Sequence, residues 1–334
     1  MKALVVNCSK EMTRANRERT FYNLGAAKMA DWLRSEGWDV TEVAGDPGLF
    51  AIGYDLVALS VIFSWHAKTA RDIALRVKDQ SEVWCGGPGI AALGKWWTQQ
   101  TGLEATIGLD QRFELQRGDY RMTFASRGCP VGCWFCIVPK IEGLDFTLDY
   151  DFQPAPILCD NNLSGLPVEF QEHIIRRYQE TGTPLGDANS GFEPRSFDEG
   201  TYRRWEPILK GPWRFAHDEE SEAQYVEPMM RILKDVSPKR KRVYVMIGHE
   251  PIEACYERAE KVREWGGEPY CQPMLNLNSL NDIPRVRHDW TVEKLRAFAR
   301  YYNRFLWKYT DIQSYSNRKG QDPMFRGLTK VAAS

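Results

Sequence analysis

The chain has 334 residues, with 44 Lys and Arg against 45 Asp and Glu, so its formal net charge is -1 and no bulk field draws it to nucleic acid. With 43% hydrophobic and 27% charged residues it holds enough apolar material for packed cores, which excludes disorder as its main state. Its length exceeds a usual single core and favours two domains or one large α/β barrel. No run reaches the roughly 18 apolar residues that span a bilayer, which argues against a membrane protein. The start, Met1-Lys2-Ala3-Leu4-Val5-Val6, is too short for a signal peptide, and the chain reads as cytoplasmic.

The first hundred residues alternate apolar strands with amphipathic helices, the pattern of a mostly parallel sheet covered on both faces. Residues 3–6 form a short apolar run. Phe21, Leu24, Ala27, Ala30 and Leu33 recur at helical spacing, and Gly37 precedes a second strand at 40–43. Residues 56–63 are apolar apart from Ser60, as expected of a central parallel strand, and are followed by a helix over 69–78. A strand at 83–85 ends in Gly86-Gly87-Pro88-Gly89, a turn that lets backbone approach a ligand or simply closes tightly.

Eight cysteines without a secretory signal do not read as a disulfide framework, and three of them fall within eight positions. In Ser126-Arg127-Gly128-Cys129-Pro130-Val131-Gly132-Cys133-Trp134-Phe135-Cys136 the spacing is C-x3-C-x2-C, and the glycines and proline supply turns that let one loop converge its sulfurs on a metal centre. Structural zinc wants four protein ligands, and no histidine lies between His66 and His173; a distant Cys or His would be needed to complete it. A cubane iron–sulfur cluster on three cysteines keeps one iron without a protein ligand.

At this point the sequence resembles the radical S-adenosylmethionine (SAM) enzymes, whose signature is C-x3-C-x2-C with an aromatic residue before the third cysteine, here Phe135. The resemblance implies that Cys129, Cys133 and Cys136 hold a [4Fe-4S] cluster, that its open iron chelates SAM, and that Phe135 packs near adenine. It further implies reductive cleavage of SAM to methionine and a 5′-deoxyadenosyl radical, with the electron supplied by a donor such as flavodoxin or ferredoxin.

Downstream of the apolar stretch 122–125, strands are expected at 156–159, 185–188, 213–216, 242–247 and 269–274, with helices at 168–180, 198–209, 223–234 and 252–264. Only the crossover 141–153 lacks a helical pattern. Six strands match the partial (βα)6 barrel of the resembled family, in which chemistry gathers at the carboxyl ends of strands. Those ends carry Asp160, Asn161 and Asn162; Asn189, Ser190, Glu193 and Arg195; Arg214, His217 and Asp218; and His249. They are the expected contacts for the SAM carboxylate, amino group and ribose, with His217 and His249 as candidate proton donors or radical quenchers. Gly266-Gly267-Glu268-Pro269 imitates the family's amino-group-binding stretch but follows the fifth helix, so it reads as a helix stop; Asp160-Asn161-Asn162 takes the expected place.

A Rossmann-like domain ahead of such a barrel resembles the cobalamin-dependent branch, with Ser60, Gly86 and Gly87 at the strand ends where a cofactor would lie. In that branch the corrin usually delivers a methyl group. The chain lacks the Asp-x-His-x-x-Gly string that supplies a lower axial histidine, which leaves cobalamin binding and a domain retained as a lid as two readings; His66 lies beside the crevice.

Thr291 is the expected N-cap of a helix reaching about Tyr309, with Leu295, Phe298, Tyr302, Phe305 and Tyr309 buried and Arg296, Arg300, Arg304 and Lys308 on the other face. That basic row suits a phosphorylated substrate or a solvated face, and the tail from Gln313 either stays loose or covers the barrel mouth. The expected domains are 1–115, 116–280 and 281–334. The alternative from another class is a non-enzymatic zinc or nucleic-acid-binding module built on the cysteine loop and basic helix.

Overall fold

The computed structural model describes residues 1–12, 18–317 and 322–328. The chain divides into two compact units: Met1–Gln153 with Leu277–Asp282, and Pro154–Asn276 with Ile283–Ser334.

In the first unit, Asp39–Ala44, Lys2–Asn7, Leu56–Ser60 and Glu82–Gly86 pair in that order as a parallel sheet. The alternation of side chains splits its core in two. Ala3, Val5, Leu56 and Ala58 pack on Ala26, Met29, Ala30 and Leu33 of the helix Leu24–Ser35. Leu4, Val6, Val57 and Leu59 pack on Ile73 and Val77 of the helix Ala67–Val77 and on Trp97. Fully burying a side chain such as Leu33 contributes about 1.5–3 kcal/mol, which is how these helices are held to the sheet. Asn23 caps the first helix by accepting from Ala26 N at 3.0 Å, and Gly37, at φ 81°, ends it.

The third strand stops at Ser60, short of the expected residue 63, because the chain turns there into Ser64–His66. Gly87 and Gly89 press against that turn: a Cβ on Gly87 would lie 2.5 Å from Val61 O, and one on Gly89 2.5 Å from Phe63 C. The Gly-Gly-Pro-Gly turn therefore serves close backbone packing.

The first unit also extends past the boundary expected at 115, because segment 116–153 is tied to the sheet domain by polar contacts. Tyr120 Oη donates to Asp31 at 2.7 Å, and Arg127 pairs with Glu114 at 3.0 Å. The crossover without helical pattern contains the strand Thr147–Leu148, antiparallel to Ser126–Arg127.

In the second unit the repeating strand and helix pattern is present. Ile157–Leu158 pairs in parallel with Asp187–Ala188, and Trp213–Ala216, Lys241–Ile247 and Glu268–Pro273 form a second parallel sheet. The helices Val168–Thr181, Glu199–Trp205, Ala223–Ile232 and Ile252–Glu264 fill the expected crossovers. No closed barrel forms among the described residues, and the ladder breaks between the third and fourth expected strands. There Gly211 approaches Gly186 so closely that a Cβ would sit 1.9 Å from Gly186 O, and only Leu185 and Leu209 form a bridge. Gly266, at φ 78°, ends the helix Ile252–Glu264 as expected.

The last helix, Val292–Asn303, starts at the expected cap, with Thr291 Oγ1 accepting from Lys294 N at 3.1 Å. It ends six residues before Tyr309, because Phe305 adopts φ 56° and turns the chain; Tyr309 is consequently 85% exposed. Lys308 leaves the basic row to stack on Trp307, while Arg296, Arg300 and Arg304 remain exposed. In the described part of the tail, Phe325 packs on Phe298 at 5.7 Å; residues 318–321 and 329–334 lie outside the described residues. No helix among the described residues is long and apolar enough to cross a membrane.

Candidate functional site

The cysteine loop is an excursion from a two-stranded stem. Ser126–Arg127 and Thr147–Leu148 pair across its base, and Cys129 N donates to Gly143 O at 3.3 Å. Arg127 locks the stem: its guanidinium binds both carboxylate oxygens of Glu114 at 3.0 Å, reaches Glu142 at 3.3 Å, and lies 3.4 Å over the Phe124 ring. Glu142 in turn accepts from Gly128 N at 3.0 Å. Gly128 is required at its place, since it holds φ 85° and a Cβ would meet Asp145 O at 2.1 Å.

Within the loop, Cys136 N donates to Cys133 O at 3.0 Å, which curls the C-x2-C segment into a turn, and Val138 N points at Cys136 Sγ at 3.4 Å. Burial raises the Cys136 thiol above its ordinary value, and the Val138 N–H opposes that shift. Cys129 lies close enough to Cys136 for their charges to interact. Cys129 and Cys133 are half-buried and Cys136 is exposed, whereas Cys8, Cys85, Cys159, Cys255 and Cys271 are all buried. Burial pushes the Cys8 thiol up to about 12 and raises Cys85, Cys255 and Cys271 as well, so these remain protonated packing groups. Phe135, half-buried, stands edge-on to Trp134 at 5.4 Å, and Trp134 is 56% exposed.

Among the described residues no three His, Cys, Asp or Glu side chains are gathered closely enough to enclose a single metal ion. A zinc site needs that convergence, with each sulfur about 2.3 Å from one ion. A cubane has a different requirement, because its protein ligands attach to separate irons. The donor chemistry of the loop, three accessible thiols and an N–H aimed at one sulfur, fits such a cluster.

Ser60 and Gly86 are register partners at the carboxyl ends of adjacent strands. Ser60 Oγ donates to the Asn23 cap at 3.1 Å, and Gly86 O accepts from Val61 N at 2.9 Å, so both are engaged in holding the sheet end together. Beside them, His66 is buried, and its imidazole pKa is lowered by burial against the opposing pull of Glu11.

The remaining expected contacts lie in the second unit. Asp160 and Asn162 are buried, and Asn162 Oδ1 accepts from Gly165 N at 2.8 Å, a turn leading into the following helix; Asn161 is half-buried. Asn189 and Ser190 are exposed, with Ser190 Oγ donating to Cys159 O at 3.3 Å. Glu193 and Arg195 come together at 2.8 Å, and Arg195 also binds Glu222 at 2.8 Å. Arg214, expected to reach a cofactor, binds Asp187 and Tyr244 Oη, at 2.7 and 2.6 Å.

His217 lies against Trp265 at the end of the helix Ile252–Glu264, on the helix-covered side of its sheet. Burial, with Arg258 and Lys261 adding to it, pushes this imidazole down to about 3. It is neutral at physiological pH, which disfavours it as a proton donor. Burial also lowers His249, while Glu250, 3.6 Å away, opposes the shift.

Asp218, another of the expected strand-end residues, has the more unusual environment. It accepts from Met246 N at 3.0 Å, and burial together with the Glu222 carboxylate pushes it up to about 7. The available signal was its place at the carboxyl end of a parallel strand beside a histidine; Glu222, which supplies the second cause, sits one helical turn further on.

No family model matches the chain, and no curated protein matches it by sequence. In structure it is similar to TsrM, a radical S-adenosylmethionine methyltransferase from Kitasatospora setae determined with cobalamin and a [4Fe-4S] cluster bound; the identity is 13% and the TM-score 0.60, over 81% of this chain and 75% of that one. It is similar as well to OxsB, a cobalamin-dependent S-adenosylmethionine radical enzyme determined with aqua-cobalamin and S-adenosylmethionine, at 13% identity and TM-score 0.51. That match covers 96% of this chain and 58% of OxsB. The chain shares the mixed α/β fold of these two proteins.

Proposed function

We propose that the chain is a cobalamin-dependent radical SAM enzyme that transfers a methyl group to a small-molecule substrate. The observation that carries this reading is the cysteine loop: its three thiols are the accessible ones, set on a locked stem, in a chain with the fold of TsrM and OxsB. When bound, a cluster on three protein ligands supplies an electron and one open iron for SAM.

The chain's own residues do the positioning. Arg127, Glu114 and Glu142 hold the stem, Gly128 lets the backbone leave it, and the Val138 N–H is directed at the Cys136 sulfur, opposing the rise that burial imposes on that thiol. Phe135 offers a ring for adenine beside the ligands. An external one-electron donor of the flavodoxin or ferredoxin kind is required, and the exposed Arg296, Arg300 and Arg304 make phosphorylated compounds the first substrates to screen.

The test is anaerobic reconstitution followed by iron and sulfide analysis and incubation with SAM and a reductant. About four irons per chain and 5′-deoxyadenosine or S-adenosylhomocysteine that disappear in Cys133→Ala support the reading. One zinc and no iron after reconstitution would overturn it in favour of a structural metal module.

A further inference from the structure

Asp39–Ala44 is the terminal strand of the first unit's parallel sheet, paired with Lys2–Asn7 on one side and with no further strand among the described residues on the other. None of its six residues is fully buried, whereas Leu56–Ser60 is buried throughout. The strand carries no proline or lysine, and Glu42, one of its two carboxylates, is held by Arg34 at 2.6 Å. A regular edge without those blocking residues is a template for pairing with another strand.

The existing ladder decides which backbone groups the edge presents. Asp39 N donates to Met1 O and Gly45 N to Asn7 O, so odd-numbered residues turn their backbone groups inward, and Val40, Glu42 and Ala44 turn theirs outward. Apolar surface flanks this edge. In the turn that follows the strand, Leu49 is 78%, Phe50 57% and Ile52 42% exposed, while Ala51 is buried in the cluster against which Val43 packs. Contiguous exposed apolar side chains of this size mark interaction surfaces.

A second copy of the chain is the occupant that these features fit. A two-fold axis perpendicular to the sheet at Thr41 sets Val40 of one copy opposite Glu42 of the other, and because both face outward they exchange N–H···O bonds. Thr41 then meets Thr41, a favourable cross-strand pair, and Asp39 meets Val43. No carboxylate faces another, whereas an axis at Glu42 would set two of them directly opposite. A stable dimer needs about 800 Å² from each copy, and a strand edge about 20 Å long with three large apolar side chains beside it offers surface of that order. We infer that the chain dimerises through Asp39–Ala44, joining two four-stranded sheets into one across a two-fold axis at Thr41, with Leu49, Phe50 and Ile52 drawn into the same interface. The inference is independent of the cofactor reading above.

The test is sedimentation velocity of the reconstituted full chain over a range of concentrations, where a particle of twice the chain mass is expected. Thr41→Lys and Thr41→Glu each set like charges against one another at the axis and raise the dissociation constant severalfold. An equimolar mixture of the two restores the dimer, which a merely structural effect of either substitution would not do. Phe50→Asp, at a side chain already exposed, weakens the dimer with the far-ultraviolet circular dichroism unchanged. A monomer at every concentration, or a dimer that all three substitutions leave as tight as before, overturns the inference. A mixture that associates no better than either variant alone overturns the pairing at Thr41.

Discussion

The side-chain amide of Asn303 pairs with both backbone groups of Cys271: Cys271 N donates to Asn303 Oδ1 at 2.7 Å, and Asn303 Nδ2 donates to Cys271 O at 2.9 Å. Cys271 sits in Glu268–Pro273, the last strand of its parallel sheet, so its outer backbone groups face no further strand among the described residues. An open edge of this kind invites pairing with other chains. Asn303 closes it with one amide, delivered by the end of the helix Val292–Asn303.

Asn303→Ala should therefore lower stability by about 1–3 kcal/mol, because a buried donor and a buried acceptor lose their partners together. It should also promote aggregation at low denaturant. Urea unfolding with light scattering measures both, and an unchanged midpoint would contradict the role given to this amide.

Arg214 and Asp187 form another long-range tie within the second unit. Two parallel bonds of 2.7 Å cross the place where strand pairing fails, and Tyr244 Oη takes a third at 2.6 Å. Hydrogen bonds to charged groups contribute about 1.5–3 kcal/mol, so Asp187→Ala should destabilise by roughly 2 kcal/mol. Removing the carboxylate strands the guanidinium, so the double variant with Arg214→Met should recover part of the loss. A double-mutant cycle by urea unfolding checks this, and additive losses would show that the two side chains do not act as a pair.

Much of this architecture was legible because it follows from short-range pattern. The apolar run from Leu56 and the helical spacing of Leu24, Ala30 and Leu33 mark elements whose burial decides their structure. The cysteine spacing marked the loop in the same way. What was not legible depends on partners distant in sequence. The partner of Arg214, Asp187, lies 27 positions earlier, and Trp265 and Arg258, which crowd His217, come from the helix Ile252–Glu264 and its end, far later in the chain. The end of the last helix was misplaced because Phe305 takes a left-handed conformation that no neighbouring glycine announces.

Gly128 and Gly132 give a contrast within the loop. Both have positive φ, 85° and 64°, but a Cβ at Gly128 would lie 2.1 Å from Asp145 backbone, whereas at Gly132 the nearest atom is a Leu144 side-chain carbon at 3.3 Å. Left-handed backbone alone costs an L-residue about 1–2 kcal/mol, which a loop can bear. Gly128→Ala should spring the stem and cut iron incorporation severalfold with the far-ultraviolet circular dichroism unchanged, while Gly132→Ala retains most of it. Equal iron content in the two variants would count against the stem as the device that presents the thiols.

His217 and Asp218 are sequence neighbours whose titrations oppose each other. His217 is pushed from 6.5 to about 3, so between those values the unfolded chain holds a proton that the folded chain does not, and this contribution to stability is lost as pH falls. Asp218 is raised from 3.8 to about 7, so the folded chain holds the extra proton and its contribution is lost as pH rises. Each slope approaches about 1.4 kcal/mol per pH unit, and between pH 4 and 6.5 they largely cancel. Asp218→Asn should expose the histidine, with stability rising with pH across that window, and His217→Gln should expose the carboxyl, with stability falling. Urea unfolding of both variants from pH 4 to 6.5 measures the two slopes, and profiles that run parallel to the native chain would refute the opposition.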